Sequence, residues 1–238
     1  MNNVVIFAAG VGKRMRTKGL PKQFLVVYGK PIIAHTISNF EQCNSIDKMV
    51  IVCKDNFIDK MKGIISDYHF KKVFAVTEGG ETGQESIWNG LKVLKRAFPE
   101  TENVLIHDGV RPFITSSLIE DCIQECNKFG NAIAAAKATE TVSLSSETNI
   151  DILDREKCYI LKAPQCFKFK TLYECHCIAN GMGKKDYTDS ASMIRHIKGE
   201  QLHLVECPRS NIKVTTPEDY YIIRALFESS EVLDIIGY

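Results

Sequence analysis

No apolar run in the 238-residue sequence reaches the ~18 residues that a membrane-spanning helix requires. The first residues, Met1-Asn2-Asn3, lack a basic leader, and Val4 to Ala9 is too short for the apolar core of a secretory signal. A cytoplasmic location without membrane association is expected. Charge of one sign is also lacking: 30 basic residues face 29 acidic ones, for a net charge of +1. Binding to nucleic acid through bulk charge normally needs a larger surplus, and a single tryptophan, Trp88, offers little for stacking on bases. An RNA-binding module is thereby disfavoured. With 45% hydrophobic and 25% charged residues, the chain is neither disordered, collagen-like nor a simple coiled coil. The nine cysteines are odd in number and scattered, which does not suit a disulfide framework; they read as buried, reduced thiols. Cys175-His176-Cys177 is the one dense cluster. It has no second ligand pair at zinc spacing, and on a helix its side chains diverge.

What is present is a rhythm. Val4-Val5-Ile6-Phe7-Ala8-Ala9 is continuously apolar and ends in glycine, the pattern of a strand buried on both faces. Similar runs recur at 49–52, 73–76, 104–106 and 132–136. Amphipathic stretches of helical length, near 31–43, 56–67, 84–97 and 116–128, lie between them. This alternation predicts an α/β fold with a doubly wound, mainly parallel sheet, in which ligands bind beyond the carboxyl ends of the strands. No linker divides the chain, so residues 1–238 read as one domain. The rhythm breaks after residue 137, and a Thr-, Ser- and Asn-rich segment at about 138–163 reads as a projecting β-arm. Helical patterns return at 169–180 and 187–197, and strand-like stretches at 202–206 and 211–215. Thr216-Pro217-Glu218-Asp219 then opens a helix expected to run to about Ser229.

The strand ends carry the chemistry. Between residues 11 and 22 lie five cations, Lys13, Arg14, Arg16, Lys18 and Lys22, and no acid, beside Gly10 and Gly12. Glycines allow close backbone approach, successive N–H groups cradle phosphate oxygens, and clustered cations suit a triphosphate. The alternative is a solvated basic loop. The spacing is not that of a Walker loop, and Met15 stands where a dinucleotide fingerprint needs its third small residue, which disfavours a nicotinamide oxidoreductase. After the fourth strand, Asp108 is a candidate Mg²⁺ ligand, Arg111 could orient it or contact phosphate, and Gly109 leaves room for a sugar ring; a purely structural aspartate in a turn is the alternative. Glu78-Gly79-Gly80-Glu81 lets the backbone approach a flat ligand, with Ser86 opening the next helix. Lys213, in an apolar stretch, points at an anion or snorkels from an edge. Thr188 and Asp189 precede a helix, where capping and catalysis are both open.

Taken in order, several motifs resemble the cytidylyltransferases that make CDP-alditols. They are Ala8-Ala9-Gly10-Val11-Gly12-Lys13-Arg14-Met15, Pro21-Lys22-Gln23, Gly79-Gly80 with Ser86, His107-Asp108-Gly109-Val110-Arg111-Pro112, Ala163-Pro164-Gln165, Thr188-Asp189 and Asn211-Ile212-Lys213-Val214-Thr215. That family includes 2-C-methyl-D-erythritol 4-phosphate cytidylyltransferase of isoprenoid synthesis and ribitol-5-phosphate cytidylyltransferase of wall and capsule synthesis. The resemblance implies a single Rossmann-like domain, CTP and an alditol phosphate as substrates, and Mg²⁺ or another divalent cation. Arg14, Lys22 and Lys213 would be the catalytic, phosphate-binding cations. Ala8, Ala9, Gly10, Gly12, Gly80, Glu81, Ser86, Asp108 and Gly109 would bind the nucleotide, with Asp108 also the metal ligand. Arg111, Thr141, Arg155 and Thr188 would bind the second substrate. In the family the arm exchanges across a homodimer, so Thr141 and Arg155 would serve the neighbouring subunit. Two departures stand out: Gly83 replaces the family's usual arginine, and Ala163 removes the hydroxyl of its Thr-Pro-Gln. Val110-Arg111-Pro112-Phe113 tilts the expectation towards D-ribitol 5-phosphate. A sugar-1-phosphate nucleotidyltransferase of the same fold is a further alternative.

Overall fold

A computed structural model of the chain describes residues 1–10 and 19–236, with side chains to residue 229. In chain order the elements are β1 (Asn2–Ala8), β2 (Val26–Val27), β3 (Lys30–Pro31), α1 (Ile32–Gln42), β4 (Lys48–Cys53), α2 (Ile58–Asp67), β5 (Val73–Glu78), α3 (Gly83–Ala97) and β6 (Asn103–Asp108). They continue as α4 (Ser116–Phe129), β7 (Asn131–Lys137), β8 (Ser143–Ser145), β9 (Ile150–Ile152), β10 (Tyr159–Lys168), α5 (Phe169–Gly181), α6 (Ser190–Lys198), β11 (Leu204–Glu206) and α7 (Pro217–Ile236).

Seven strands form the main sheet in the order β11-β7-β10-β6-β1-β4-β5. Every pairing is parallel except the two made by β10. The central strands are continuously apolar because both faces are covered: Val4 and Ile6 face α1, α2 and α4, while Val5 faces α3, α5 and α6. Side chains such as Ile51, Leu91 and Leu94 are fully buried, each stabilising the fold by about 1.5–3 kcal/mol relative to exposure. Local chemistry sets the helix ends. Thr82 and Glu85 form a reciprocal capping box at the start of α3, and Gly130, at φ +90°, terminates α4 in the left-handed region.

The chain leaves β1 for β4 and β5 on one side and returns to β6 on the other. The carboxyl ends of β1 and β6 therefore flank the point where strand order reverses, with Phe7 opposite Asp108.

Three expectations are corrected, and two features were not anticipated. Residues 159–163 belong to β10, so the projecting segment ends near Cys158, with β8 and β9 as its separate hairpin. Asn211–Thr215 is not a strand; one ladder-like bond, Val214 N–H to Val110 O at 3.0 Å, holds it against the sheet. Helix α7 continues past Ser229 to Ile236. The strand β10 and the small β2–β3 hairpin were not anticipated. Of the nine cysteines, all free, seven are buried, Cys158 is half-buried and Cys177 is exposed. Cys175 and Cys177 point to opposite sides of α5, and His176 stacks on Trp88.

Candidate active site

A cavity of about 320 Å³ opens at the reversal point of the sheet. Asp108, at the last position of β6, lies at its base. Arg111 donates from Nε to Asp108 Oδ2 at 2.8 Å, and Lys213 Nζ meets Asp108 Oδ1 at 2.5 Å. Burial alone would raise the Asp108 pKa, but Lys213 and Arg111 outweigh it and hold the carboxyl at about 2. The group is thus a fixed anion at neutral pH between two cations. The neighbouring His107 is fully buried and burial lowers its pKa to about 4; its Nε2 pairs with the Arg111 carbonyl oxygen at 3.2 Å. It is a neutral structural ring facing away from the chemistry, edge-on to Phe40.

The opposite wall is built by β10 and the start of α6. Asp189 caps α6 through Ser192 N–H at 2.8 Å and accepts from Gln165 Nε2 at 2.9 Å. Gln165 Oε1 in turn accepts the Ala191 N–H at 3.1 Å. Gln165, Thr188 and Asp189 all line the cavity. Asp189 thus both caps α6 and, like Thr188, lines the cavity. Gln165 was missed as a wall-builder; a lone polar residue between the buried Ala163 and Cys166–Phe167 is the signal that marks it.

The loop after β5 is pinned to α3. Ser86 Oγ accepts the Gly80 N–H at 3.1 Å and donates to Thr82 O at 2.9 Å. Glu85 accepts the Glu81 N–H at 2.9 Å, and Lys185 pairs with Glu85 at 2.7 Å. A Cβ on Gly80 would lie 2.2 Å from that of Glu85, so the absence of a side chain allows this close turn. Gly109 meets a different demand: a Cβ there would lie 2.8 Å from both Ala8 Cβ and Ile33 Cδ1. Its smallness serves strand-end packing.

After β1, Ala8 is buried, and its carbonyl oxygen accepts from Gln23 Nε2 at 2.6 Å, tying the buried Lys22–Phe24 turn to the strand end. Ala9 and Gly10 follow at the strand terminus. Gly12 and Arg14, with Lys13, Arg16 and Lys18, lie outside the described residues. Thr141 and Arg155 do not line the cavity. Both are exposed on the arm, where Arg155 Nη1 donates to Thr139 O at 3.3 Å. The structure thus gathers Asp108, Arg111, Thr188 and Lys213 around one cavity and leaves the arm pair apart from it.

A divalent cation suits Asp108 in one specific sense. Its carboxylate is ionised and sits at a cavity wall, as a ligand shared with a nucleotide's phosphates must. A cage made by protein alone does not fit: among the described residues no group of three His, Cys, Asp or Glu side chains is placed to hold a metal ion.

Comparison with known proteins decides among the nucleotide-binding readings. Residues 2–229 match the family model described as 2-C-methyl-D-erythritol 4-phosphate cytidylyltransferase. The chain belongs to that family. It is 42% identical over 239 residues, covering all of both chains, to a ribitol-5-phosphate cytidylyltransferase of Streptococcus agalactiae serotype Ia. It is 38% identical over 229 residues to a 2-C-methyl-D-erythritol 4-phosphate cytidylyltransferase of Clostridium botulinum strain Okra, covering 95% of this chain and 97% of that one. Among solved structures, the 4-diphosphocytidyl-2C-methyl-D-erythritol synthase of Anaerococcus prevotii superposes with a TM-score of 0.83 at 28% identity, covering 95% of this chain and 96% of the other. The family's mainly parallel Rossmann-like sheet is the architecture described above.

Proposed function

We propose that this family member joins CTP and D-ribitol 5-phosphate into CDP-ribitol and pyrophosphate. As a member of the family the chain is a CTP-dependent cytidylyltransferase, which transfers CMP to a sugar-alcohol phosphate. The observation that carries the site is the Lys213–Asp108–Arg111 cluster at the sheet's reversal point. The choice of ribitol is supported by the end-to-end 42% match and by Val110-Arg111-Pro112-Phe113. A second reading, 2-C-methyl-D-erythritol 4-phosphate, is supported by the 38% match to the clostridial enzyme.

In this reading a phosphate oxygen of the alditol phosphate forms a bond to the α-phosphorus of CTP, the bond from that phosphorus to the bridging oxygen breaks, and pyrophosphate leaves. The nucleophile's second pKa near ~6 leaves it largely ionised at neutral pH, so no general base is required. The obstacle is repulsion between two anions and the charge growing on the α-phosphoryl oxygens. Lys22 and Lys213 are assigned to that charge, with Arg14 in the loop after β1. Ala8, Ala9, Gly10, Gly12, Gly80, Glu81, Ser86 and Gly109 are assigned to the nucleotide. Arg111 and Thr188 are assigned to the alditol phosphate, with Thr141 and Arg155 reaching the neighbouring subunit's site in a homodimer paired through the arm. Asp108 would hold Mg²⁺, which when bound neutralises phosphate charge. Preorganised cations lower the barrier because they need no rearrangement as charge develops. Among the described residues no helix is long and apolar enough to cross a membrane; we place the reaction in the cytoplasm, free of nucleic acid.

A panel of alditol phosphates and sugar 1-phosphates with CTP or UTP and Mg²⁺, read by pyrophosphate release, tests the proposal. Turnover of CTP with ribitol 5-phosphate is expected to exceed that with methylerythritol phosphate by at least tenfold in kcat/KM. The reverse order would replace the first reading by the second.

A further inference from the structure

We infer that Asn211 is a positioning residue for cytidylyl transfer, acting on both cations that grip Asp108. The inference rests on the assignment of Lys213 to the reaction. Lys213 does not sit on a strand, so no ladder of backbone bonds sets its position. Two anchors flank it. On one side Val214 N–H bonds Val110 O at 3.0 Å. On the other, the fully buried Asn211 donates from Nδ2 to Ala163 O on β10 at 2.7 Å, across 48 residues of sequence. The Asn211 carbonyl oxygen accepts from Arg111 Nη1 at 3.1 Å, while Nε of the same guanidinium holds Asp108.

One residue thus fixes Arg111 through its main chain and Lys213 through the two peptide links that follow, and ties both to the β10 wall of the cavity. The turn before it adds little reach: Asn211 N–H bonds Pro208 O at 3.1 Å, and Ile212 N–H bonds Ser210 O at 2.7 Å, both within the loop itself. Truncation of the amide removes the buried tie to β10, leaving the exposed Lys162 Nζ–Arg209 O bond at 3.1 Å as the loop's link to that strand, without touching any group assigned to the reaction. A displacement of ~1 Å of a catalytic group can cost about 10²-fold in rate.

The test is a double-mutant cycle in purified full-length enzyme. Wild-type cytidylyl transfer is measured first and judges the functional reading by itself; the cycle then judges Asn211. Asn211→Ala is expected to lower kcat by about 10–100-fold, with KM for each substrate moving less than about threefold. On a Lys213→Ala background the same change is expected to cost several-fold less, because one of the two cations it positions is already gone. Thermal melting by circular dichroism confirms that each variant is folded. An unchanged kcat, or the same fold-loss in both backgrounds, overturns the inference. Should Asn211→Ala not fold, Asn211→Ser enters the same cycle with the same outcomes.

Discussion

Lys213 and Asp108 form a 2.5 Å ion pair in which the lysine is 40% exposed and the aspartate only 8%. The two partners therefore answer mutation differently. The Asp108 carboxyl has its pKa held at about 2, against an ordinary 3.8, so its charge stabilises the fold above pH 3.8 and that contribution fades as pH falls towards 2. At 1.36 kcal/mol per pKa unit this is about 2 kcal/mol. Asp108→Asn is expected to lose roughly that amount at pH 7, where Arg111 and Lys213 are left without their shared anion. Urea unfolding at pH 7 and pH 3 measures it: the gap between wild type and variant shrinks at the lower pH, and an equal gap at both would contradict the assignment.

Lys213→Ala leaves the buried Asp108 carboxylate with Arg111 alone, so it gives up part of that stabilisation. Unfolding free energy should fall by about 1–2 kcal/mol, while kcat falls about 10²–10³-fold, the usual cost of losing one preorganised donor. Lys22→Ala should lose turnover to the same degree and far more than it loses stability. Near-normal rates in either variant would remove that lysine from the mechanism.

His176 supplies a pH signature remote from the cavity. Burial against Trp88 lowers its pKa to about 4 from 6.5, and its Nε2 finds no partner among the described residues. A depressed histidine is neutral in the fold and protonates first in the unfolded chain. Its stabilising contribution is therefore complete above pH 6.5 and is lost as pH falls from there to 4, by about 3 kcal/mol. His107 behaves alike. His176→Leu should cost little at pH 7 and be more stable than wild type at pH 4.5. Parallel stability curves for the two proteins would refute this.

Gly109→Ala tests whether that glycine serves packing. The added methyl meets Ala8 and Ile33 at 2.8 Å, both in the core, so the expected loss is about 1–3 kcal/mol in chemical denaturation. A variant that melts like wild type but binds CTP poorly would show that Gly109 serves the nucleotide and not the packing.

How far the sequence was legible follows from burial. Strands covered on both faces, such as Met49–Cys53, must be continuously apolar, and that pattern is visible without structure. The strand β10 hid because it is antiparallel, exposed at Tyr159–Leu161, and interrupted by Lys162 and Pro164. Asp108 stands out in the sequence because it is an acid directly after an apolar strand run. Its partnership with Lys213 joins residues 105 positions apart and depends on where an irregular loop docks. Asn211 was invisible as an organiser because its partner is the Ala163 carbonyl, and backbone groups leave no mark on sequence.

Arg155 carries the last prediction. It is more than half exposed on the arm, its nearest carboxylate is Glu156 at 3.8 Å, and it lies apart from this chain's own cavity. If it holds the alditol phosphate across a subunit boundary, Arg155→Ala should raise KM for the alditol phosphate about tenfold or more, since a charged hydrogen bond to phosphate contributes about 1.5–3 kcal/mol, while KM for CTP stays unchanged. Mixing Arg155→Ala with Lys213→Ala subunits should regenerate sites in which an intact Lys213 faces an intact Arg155 from the partner subunit, restoring activity towards a quarter to a half of wild type. Equal damage to both substrates' KM, or no recovery on mixing after subunit exchange, would place Arg155 outside the reaction and leave the arm a purely structural hairpin.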